Sequence, residues 1–423
     1  MNISKIIISA VYKIKPLIIK IIPIEVLKAV KDRILQANTQ KLKYVERLPF
    51  EPNRFKKGIN LIGYIKHDTG LGQSTRLLAS EFQNSEVEFS IRPYAQSKEY
   101  SMTDSTFDEK LSNEIPYGVN VFHINAHEFT IAYMNLGKEL FDRHYNIAFW
   151  LWELEEFPDK WVPCMNLVDE IWTPSEFISN SLRKKTNKPV VTVPYCVTAP
   201  TDDKLDRKHF GLPEDRFLFL GMYDSNTGAA RKNPKAIIDA FKKAFSPENE
   251  QVGLVLKINH TKDEELQHIK EELKDYRNVY FLLNNMKKVE VNSLLRVVDL
   301  YVSLHRAEGF GLVLAESMLI GTPVIATNYS ANTEFMNSEV ACMVDYRLVE
   351  LKEDIPPYAK GNYWAEPNIE TAASHMKRLF EDGEFCERLA NNAAQHINSV
   401  LSMKQATTIV EQRIAEIYKG ANA

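Results

Sequence analysis

Two glutamates, Glu308 and Glu316, lie on either side of a glycine-containing turn, with seven residues between them. The surrounding sequence, LYVSLHRAEGFGLVLAESMLIGTPVIATN, predicts a short strand, the turn, a helix that contains Glu316 and a second strand. A turn from a strand into a helix is where α/β proteins bind anions, because free backbone N–H groups point out of the helix start. The spacing therefore predicts two acceptors that hold hydroxyls on different parts of one ligand, with its phosphate between them. It does not suit the facing acid and base of a hydrolase.

Two cations, Arg231 and Lys232, follow an earlier predicted strand in the segment MYDSNTGAARKNP, directly before a helix start. Fixed positive charges together with the N–H groups of a helix start are what a diphosphate needs. The other interpretation is a solvated surface pair, but the position before a helix favours the diphosphate.

Gly70 and Gly72 follow the first predicted strand of the chain and allow a tight turn into a helix. Thr75 stands where a dinucleotide fingerprint would have its third glycine, which argues against a nicotinamide dehydrogenase. The turn is therefore either a ligand-contacting loop or an ordinary strand-to-helix connection. His127 lies beyond the end of another predicted strand, where it would either hydrogen-bond a ligand hydroxyl or serve as a structural loop histidine.

Trp152 and Glu153 belong to FWLWELEEFP, the segment densest in aromatic and acidic residues. Aromatic faces and carboxylates suit sugar rings and their hydroxyls, so both residues are candidates for an acceptor site. The same composition also suits the edge of a core with solvated glutamates.

Predicted strands alternate with helices twice along the chain, which indicates an α/β fold of two Rossmann-like domains facing each other across a central cleft. A polar stretch at Thr198–Lys208 is the predicted linker. The predicted divisions are a helical N-terminal extension, a first Rossmann-like domain, a second Rossmann-like domain, and a C-terminal helix that packs back on the first domain: residues 1–55, 56–200, 201–400 and 401–423.

The 423 residues exceed what one core needs, and 44% hydrophobic and 26% charged residues are ordinary for a globular protein. A formal net charge of -4 gives no reason to expect nucleic-acid binding. The 4 cysteines have neither disulfide nor zinc spacing, which predicts a cytoplasmic protein. The lysine- and isoleucine-rich first forty residues have two interpretations: a basic amphipathic segment on the inner face of the cell membrane, or a helical extension packed on the first domain.

The two glutamates in their strand–turn–helix context resemble the E-x7-E signature of retaining glycosyltransferases of family 4, which are two-domain enzymes of the GT-B type. The resemblance covers residues 58–400 and is closest in NIAFWLWELEEFPDKW, VDEIWTPSEF, RKNPKAIIDAFKKAF and LHRAEGFGLVLAESMLIGTPVIAT. These segments are similar to the bacterial subgroup that makes O-antigen, capsule and exopolysaccharide. The resemblance implies transfer of a hexose from a nucleoside-diphosphate sugar, such as GDP-mannose, to a hydroxyl of a glycan or lipid-linked oligosaccharide, with retention of configuration. It implies no cofactor, and the absence of Asp-x-Asp gives no indication of a metal.

The resemblance also assigns roles to residues of the second half. Glu308 would hold the hydroxyls of the donor sugar, and Glu316 would hold the ribose. Lys232 would neutralise the diphosphate. Backbone N–H groups would meet the sugar and the diphosphate along one short segment: Gly309, Phe310, Gly311 and Leu312.

In the first half, His127 would be the active-site histidine, and Gly70 and Gly72 would approach the phosphates and the acceptor. One position departs from the pattern. Many relatives have an arginine after the glycine that ends the first strand of the second domain, but Met222 stands here. Arg231 is the candidate to supply that charge.

Other functions would share this architecture. A nucleotide-sugar epimerase or a phosphorylase would need no polysaccharide acceptor, and the epimerase would turn over its nucleotide sugar without added glycan. A non-catalytic sugar-binding protein would have no use for a diphosphate site, so the basic pair argues against it.

Overall fold

The computed structural model describes residues 24–95, 102–226 and 228–421, and within them the chain forms two six-stranded parallel sheets and one antiparallel hairpin. The first domain contains these elements: α1 (Ile24–Lys41), β1 (Lys56–Gly63), α2 (Gly70–Gln83), β2 (Phe89–Pro93), β3 (Tyr117–His123), α3 (Ala126–Leu136), β4 (Tyr145–Phe149), β5 (Glu170–Thr173), α4 (Glu176–Arg183) and β6 (Val190–Thr192). Its strand order is β2-β1-β3-β4-β5-β6.

The second domain repeats this layout with the strand order β12-β11-β10-β7-β8-β9. Its sheet and the helices that cover it are β7 (Phe217–Asp224), α5 (Ala229–Lys232), α6 (Pro234–Ala244), β8 (Val252–Asn259), α7 (Asp263–Glu272), β9 (Val279–Leu282), α8 (Lys288–Val297), β10 (Leu300–Ser303), α9 (Leu312–Ile320), β11 (Val324–Thr327) and β12 (Cys342–Val344). The chain then continues as β13 (Tyr346–Glu350), β14 (Tyr363–Pro367), α10 (Ile369–Glu381), α11 (Gly383–Val400) and α12 (Met403–Gly420).

The central strands form because they are apolar on both faces. Every residue of β10 and β11 is buried, and helices cover the two faces of the sheet, as parallel sheets require. The order of strands reverses between β1 and β3 in the first sheet, and between β7 and β10 in the second. Ligands bind at the carboxyl ends of strands at such reversals. The fold therefore marks one position in each domain.

The last helix, α12, returns to the first domain. The Arg413 guanidinium grips the fully buried carboxylate of Glu170 through two hydrogen bonds, Nε to Oε1 at 2.8 Å and Nη2 to Oε2 at 2.6 Å. The carboxylate of Glu411 accepts a hydrogen bond from the backbone N–H of Glu86 at 2.9 Å. Helix α11, by contrast, packs on α9 of the second domain.

The antiparallel hairpin of β13 and β14 is a feature that the sequence analysis does not predict. It lies between β12 and α10 and joins neither parallel sheet. After the hairpin the described chain is helical and forms α10, α11 and α12.

The N-terminal extension is helical where the structure describes it. Helix α1 packs on the first domain, and Thr39 and Thr130 share a hydrogen bond of 2.7 Å between their hydroxyls. The interpretation that the extension lies on a membrane rests mainly on residues 1–23, which lie outside the described residues. Within the described ranges, every helix is too short or too polar to cross a lipid bilayer.

Candidate active site

Arg231, Lys232 and Glu308 meet at the strand reversal of the second sheet. The cations follow β7 and the glutamate follows its neighbour β10. One oxygen of Glu308, Oε1, lies 3.0 Å from Arg231 Nη1 and 2.5 Å from Lys232 Nζ. The guanidinium also donates to the carbonyl of Ala307 at 2.7 Å, which fixes it against the turn. The basic pair and the first glutamate of the signature thus form one cluster.

The charges of this cluster fix its protonation states. Burial raises the pKa of Glu308, but Lys232 and Arg231 outweigh it and lower the pKa to about 2. Burial lowers the pKa of Arg231, and Glu308 more than offsets it, so the net shift is upward. The cluster holds two positive charges and one negative charge, which leaves a net positive site. Arg231 Nε is buried and has no hydrogen-bond partner within the described residues.

The second glutamate, Glu316, lies on α9 with its side chain fully buried, and Lys288 at the start of α8 forms an ion pair with its Oε2. Burial raises the pKa of Glu316, and Lys288 opposes this without cancelling it. The two glutamates therefore have separate cations and separate environments.

The turn between the glutamates is pressed against the first domain. A Cβ on Gly309 would stand 2.9 Å from the carbonyl oxygen of Trp152, so only glycine allows this approach. Ser175 Oγ donates to the carbonyl of Gly309 at 2.8 Å. Gly311, in the left-handed region at φ 93°, precedes α9, which begins at Leu312. The N–H groups of this helix start are thus held at the boundary between the two domains.

Phe310 connects the turn to the glycine loop of the first domain. Its ring packs edge-on against Tyr195 at 5.0 Å, and the Tyr195 hydroxyl shares a hydrogen bond with Ser74 on α2. Gly70 is the first residue of this helix, and a Cβ on Gly72 would stand 2.1 Å from the carbonyl oxygen of His67. Helix α2, which follows the glycine loop, is thus linked to the turn between the glutamates through the side chains of Ser74, Tyr195 and Phe310.

His127 lies in the first turn of α3, at the carboxyl end of β3. The residue has exposed surface, and its ring centroid lies 5.7 Å from that of Trp161. The protein around it desolvates the ring and lowers its pKa, while Glu128 raises it. His127 is therefore mainly neutral near pH 7, and a neutral imidazole can donate one hydrogen bond and accept another.

Trp152 and Glu153 follow β4 and differ in exposure. The indole of Trp152 is 4% exposed, donates to the carbonyl of Glu156 at 2.9 Å and packs against Phe157 and Trp161. Its ring face is thus occupied by protein. Glu153 is partly exposed and accepts a hydrogen bond of 3.1 Å from Tyr358 on the hairpin segment.

Lys288 and Tyr358 contact the candidate residues Glu316 and Glu153, but the sequence does not indicate either contact. Lys288 is one of two adjacent lysines at the start of α8, and its partner Glu316 lies 28 residues later, so no local spacing marks the pair. Tyr358 lies in the unpredicted hairpin. A further feature is a cavity of about 340 Å³ beyond β8 and β9, next to the start of α8. It is lined by His260, Thr261, Asp263, Leu266, Leu283 and Asn285.

Two facing Rossmann-like domains with these strand orders define the GT-B fold, and solved glycosyltransferase structures share it. HepE from Anabaena, in complex with UDP and glucose, has a TM-score of 0.62 and 13% identity over 85% of this chain and 100% of its own. Sucrose-phosphate synthase from Thermosynechococcus elongatus has a TM-score of 0.64 and 13% identity over 86% of this chain and 100% of its own. A glycosyltransferase from Rickettsia africae has a TM-score of 0.60 and 14% identity over 87% of this chain and 99% of its own.

Residues 203–396 match the family described as Glycosyl transferases group 1. The match covers the second domain, which carries both glutamates and the basic pair. None of the curated proteins matches the chain. Within the described residues, no group of three or more histidine, cysteine or acidic side chains could hold a metal ion.

Proposed function

We propose that this protein is a retaining hexosyltransferase of glycosyltransferase family 4. It would move a sugar from a nucleoside diphosphate to a hydroxyl of a glycan or lipid-linked oligosaccharide, in the synthesis of a bacterial surface polysaccharide. The observation that carries the proposal is the cluster of Arg231, Lys232 and Glu308 beside the start of α9. It combines a net positive charge and an unpartnered Arg231 Nε with a carboxylate held ionised.

The donor would occupy the second domain from the cluster to the start of α8. Glu308 would accept hydrogen bonds from hydroxyls of the sugar, and the diphosphate would lie against Lys232, Arg231 Nε and the N–H groups at Leu312. Glu316 would meet the ribose. The depression of about 340 Å³ beyond the ends of β8 and β9 would take the nucleobase.

Transfer requires an anionic diphosphate to leave while the sugar gains oxocarbenium character. The two cations and the helix start would stabilise the charge that develops on the leaving oxygen. The departing phosphate would take the proton of the acceptor hydroxyl on the same face of the sugar, which gives retention without a protein nucleophile. Neutral His127 would hold a hydroxyl from the side of the first domain. This pathway needs no metal.

A thermal-shift screen tests the donor half of the proposal. The panel contains GDP-mannose, which the sequence resemblance suggests, UDP-glucose, which HepE binds in one of its structures, and dTDP- and ADP-glucose. A donor at a hundred times its Kd adds about 2.7 kcal/mol to the free energy of unfolding, so it raises the melting temperature. Glu316→Ala should abolish the shift. A panel without any stabilising compound, or an unchanged shift in Glu316→Ala, would contradict the proposal.

The matching donor then distinguishes transfer from its rivals. Consumption of the nucleotide sugar that depends on added glycan supports a transferase. An epimerised nucleotide sugar formed without glycan supports the epimerase instead, and binding without any turnover supports a sugar-binding protein.

A further inference from the structure

A long arm of the second domain reaches the first domain beside the candidate active site. We define the arm as residues 346–367, which comprise β13, a connecting segment and β14. We call residues 305–311, which carry Glu308, the donor turn. Arg306 of this turn attaches the second strand of the arm to it. Arg306 Nε donates to Glu366 at 2.8 Å, its guanidinium lies 5.0 Å from the ring centroid of Trp364, and its carbonyl accepts from the N–H of Ala365 at 2.9 Å.

Tyr358, in the connecting segment, makes the contact with the first domain. The tyrosine is only 5% exposed, and its ring centroid lies 5.5 Å from that of Trp152. Its hydroxyl donates to Oε2 of Glu153 at 3.1 Å. One end of the arm is thus attached to the donor turn, and Tyr358 holds a carboxylate that belongs to the opposite domain.

The surrounding charges keep this hydrogen bond directed from phenol to carboxylate. Burial raises the pKa of Tyr358, Glu153 raises it further, and Arg231 opposes the shift. Tyr358 therefore remains a donor throughout the neutral range. Glu153 and Glu308 both act on the phenol, and Glu153 also raises the pKa of Arg231. The Glu153 carboxylate thus lies within electrostatic range of the proposed diphosphate site.

Glu153 retains a free acceptor after this contact. The residue is partly exposed, and within residues 24–95, 102–226 and 228–421 its Oε1 accepts no hydrogen bond. A carboxylate oxygen that is fixed in direction, accessible and across from the donor turn suits a sugar hydroxyl. Without the Tyr358 bond, the carboxylate would sample other rotamers and lose this direction.

We propose that Tyr358 is a positioning residue, and that it holds Glu153 so that Oε1 binds a hydroxyl of a hexoside acceptor. This inference rests on the proposed transferase function and adds to it an acceptor contact built by both domains. Domain 1 supplies the carboxylate, and the arm of domain 2 supplies the group that orients it. Acceptor binding would then depend on docking of the arm, whereas donor binding would not.

Tyr358→Phe tests this inference, because it removes the hydroxyl and keeps the ring that packs on Trp152. The acceptor probe is a mixture of p-nitrophenyl α- and β-hexosides of glucose, mannose, galactose and N-acetylglucosamine, with the donor identified by thermal shift. Labelled products are separated by chromatography. The matched control is Tyr363→Phe, which removes the hydroxyl of a tyrosine of the same arm that is 52% exposed.

We expect Tyr358→Phe to raise the KM for the hexoside about tenfold, because a hydrogen bond to a charged group supports an effect of this size. The melting-temperature shift caused by the donor should be unchanged, kcat should change less than KM, and Tyr363→Phe should behave as wild type. Glu153→Gln should raise the same KM and show no further effect from Tyr358→Phe.

Three outcomes would overturn the inference, and they differ from failure of the proposed function. An unchanged hexoside KM in Tyr358→Phe removes the positioning role. Equal losses of donor and hexoside binding indicate general loosening instead of positioning. A wild-type protein that binds its donor but glycosylates none of the hexosides removes the acceptor class and leaves the donor site standing. Only a wild-type protein that binds no nucleotide sugar overturns the proposed function itself, and the inference falls with it.

Discussion

Replacing Lys288 by methionine tests how far the buried carboxylate of Glu316 depends on one cation. Glu316 is fully buried, and within the described residues both of its oxygens lack an ordinary hydrogen bond, so the ion pair with Lys288 is its compensation. Methionine keeps the apolar stem of the lysine and removes the charge. Lys288→Met should therefore leave α8 intact and leave Glu316 without a counter-charge.

The cost has an upper limit, because an unpaired buried carboxylate takes up a proton instead of remaining charged. Protonating a carboxyl of ordinary pKa 4.5 at pH 7 costs about 3 kcal/mol, at about 1.36 kcal/mol per pH unit. Burial already raises the pKa of Glu316, and loss of Lys288 raises it further. A raised folded-state pKa means that the folded protein binds more protons than the unfolded chain, so stability falls as pH rises above 4.5.

The free energy of unfolding of Lys288→Met should therefore be lower than that of the wild type by up to about 3 kcal/mol at pH 7, and by less than about 1 kcal/mol at pH 5. Urea unfolding followed by circular dichroism at both pH values measures the difference. In the double variant Lys288→Met/Glu316→Gln the buried group is neutral, so the pH dependence of the deficit should disappear. A deficit of equal size at pH 5 and pH 7, or a double variant that keeps the pH dependence, would refute the reasoning.

Three further predictions concern activity. Lys232→Ala should lower kcat/KM for the donor by about 10²–10³, because it removes one group that stabilises the charge on the leaving oxygen. The control is Lys235→Ala, at a neighbouring lysine whose side chain is 68% exposed, and its kcat/KM should stay within about twofold of the wild type. Equal losses in the two variants would deny Lys232 its role. Gly309→Ala places a Cβ 2.9 Å from the Trp152 carbonyl oxygen and so pushes the two domains apart. Initial rates of sugar transfer should fall at least about tenfold, and wild-type rates would show that the close contact is dispensable. The lowered pKa of His127 keeps the imidazole neutral, so kcat/KM should be constant from about pH 6.5 to 8 and should decline only below about pH 6.5. A decline of kcat/KM between about pH 6.5 and 8 would contradict this prediction.

The parallel sheets could be predicted because a strand buried on both faces is an unbroken apolar run. Leu300–Ser303 and Val324–Thr327 are such runs, and the polar turns that follow them lie at the carboxyl edge, where residues from different strands meet. The sequence thus indicates that Glu308, Arg231 and Lys232 lie near one another, since each follows a predicted strand. The distance of 2.5–3.0 Å between their charged atoms depends on which strands are neighbours, and strand order is not encoded locally.

The hairpin could not be predicted, because its strands are short, partly exposed and not joined by a tight turn. Tyr346 and Leu348 of β13 are 39% and 49% exposed, and the partner strand β14 begins 13 residues after β13 ends. Trp364 and Ala365 of β14 are buried because they pack in the core of the first domain, far away in the sequence.

The ring of Trp152 is likewise covered by a distant residue, Tyr358. A sequence pattern cannot show this contact, so it cannot distinguish a packed tryptophan from one that stacks on a sugar.

The return of α12 to the first domain means that the backbone passes between the domains twice, once between β6 and β7 and once between α11 and α12. A single connection would let one domain swivel in any direction relative to the other. Two separated connections define a line, and rotation about that line is the motion that stretches neither of them. We therefore expect the cleft between the two sheets to open by rotation about this single axis. Loss of α12 would remove one of the two connections, and the domains could then rotate relative to each other about any axis.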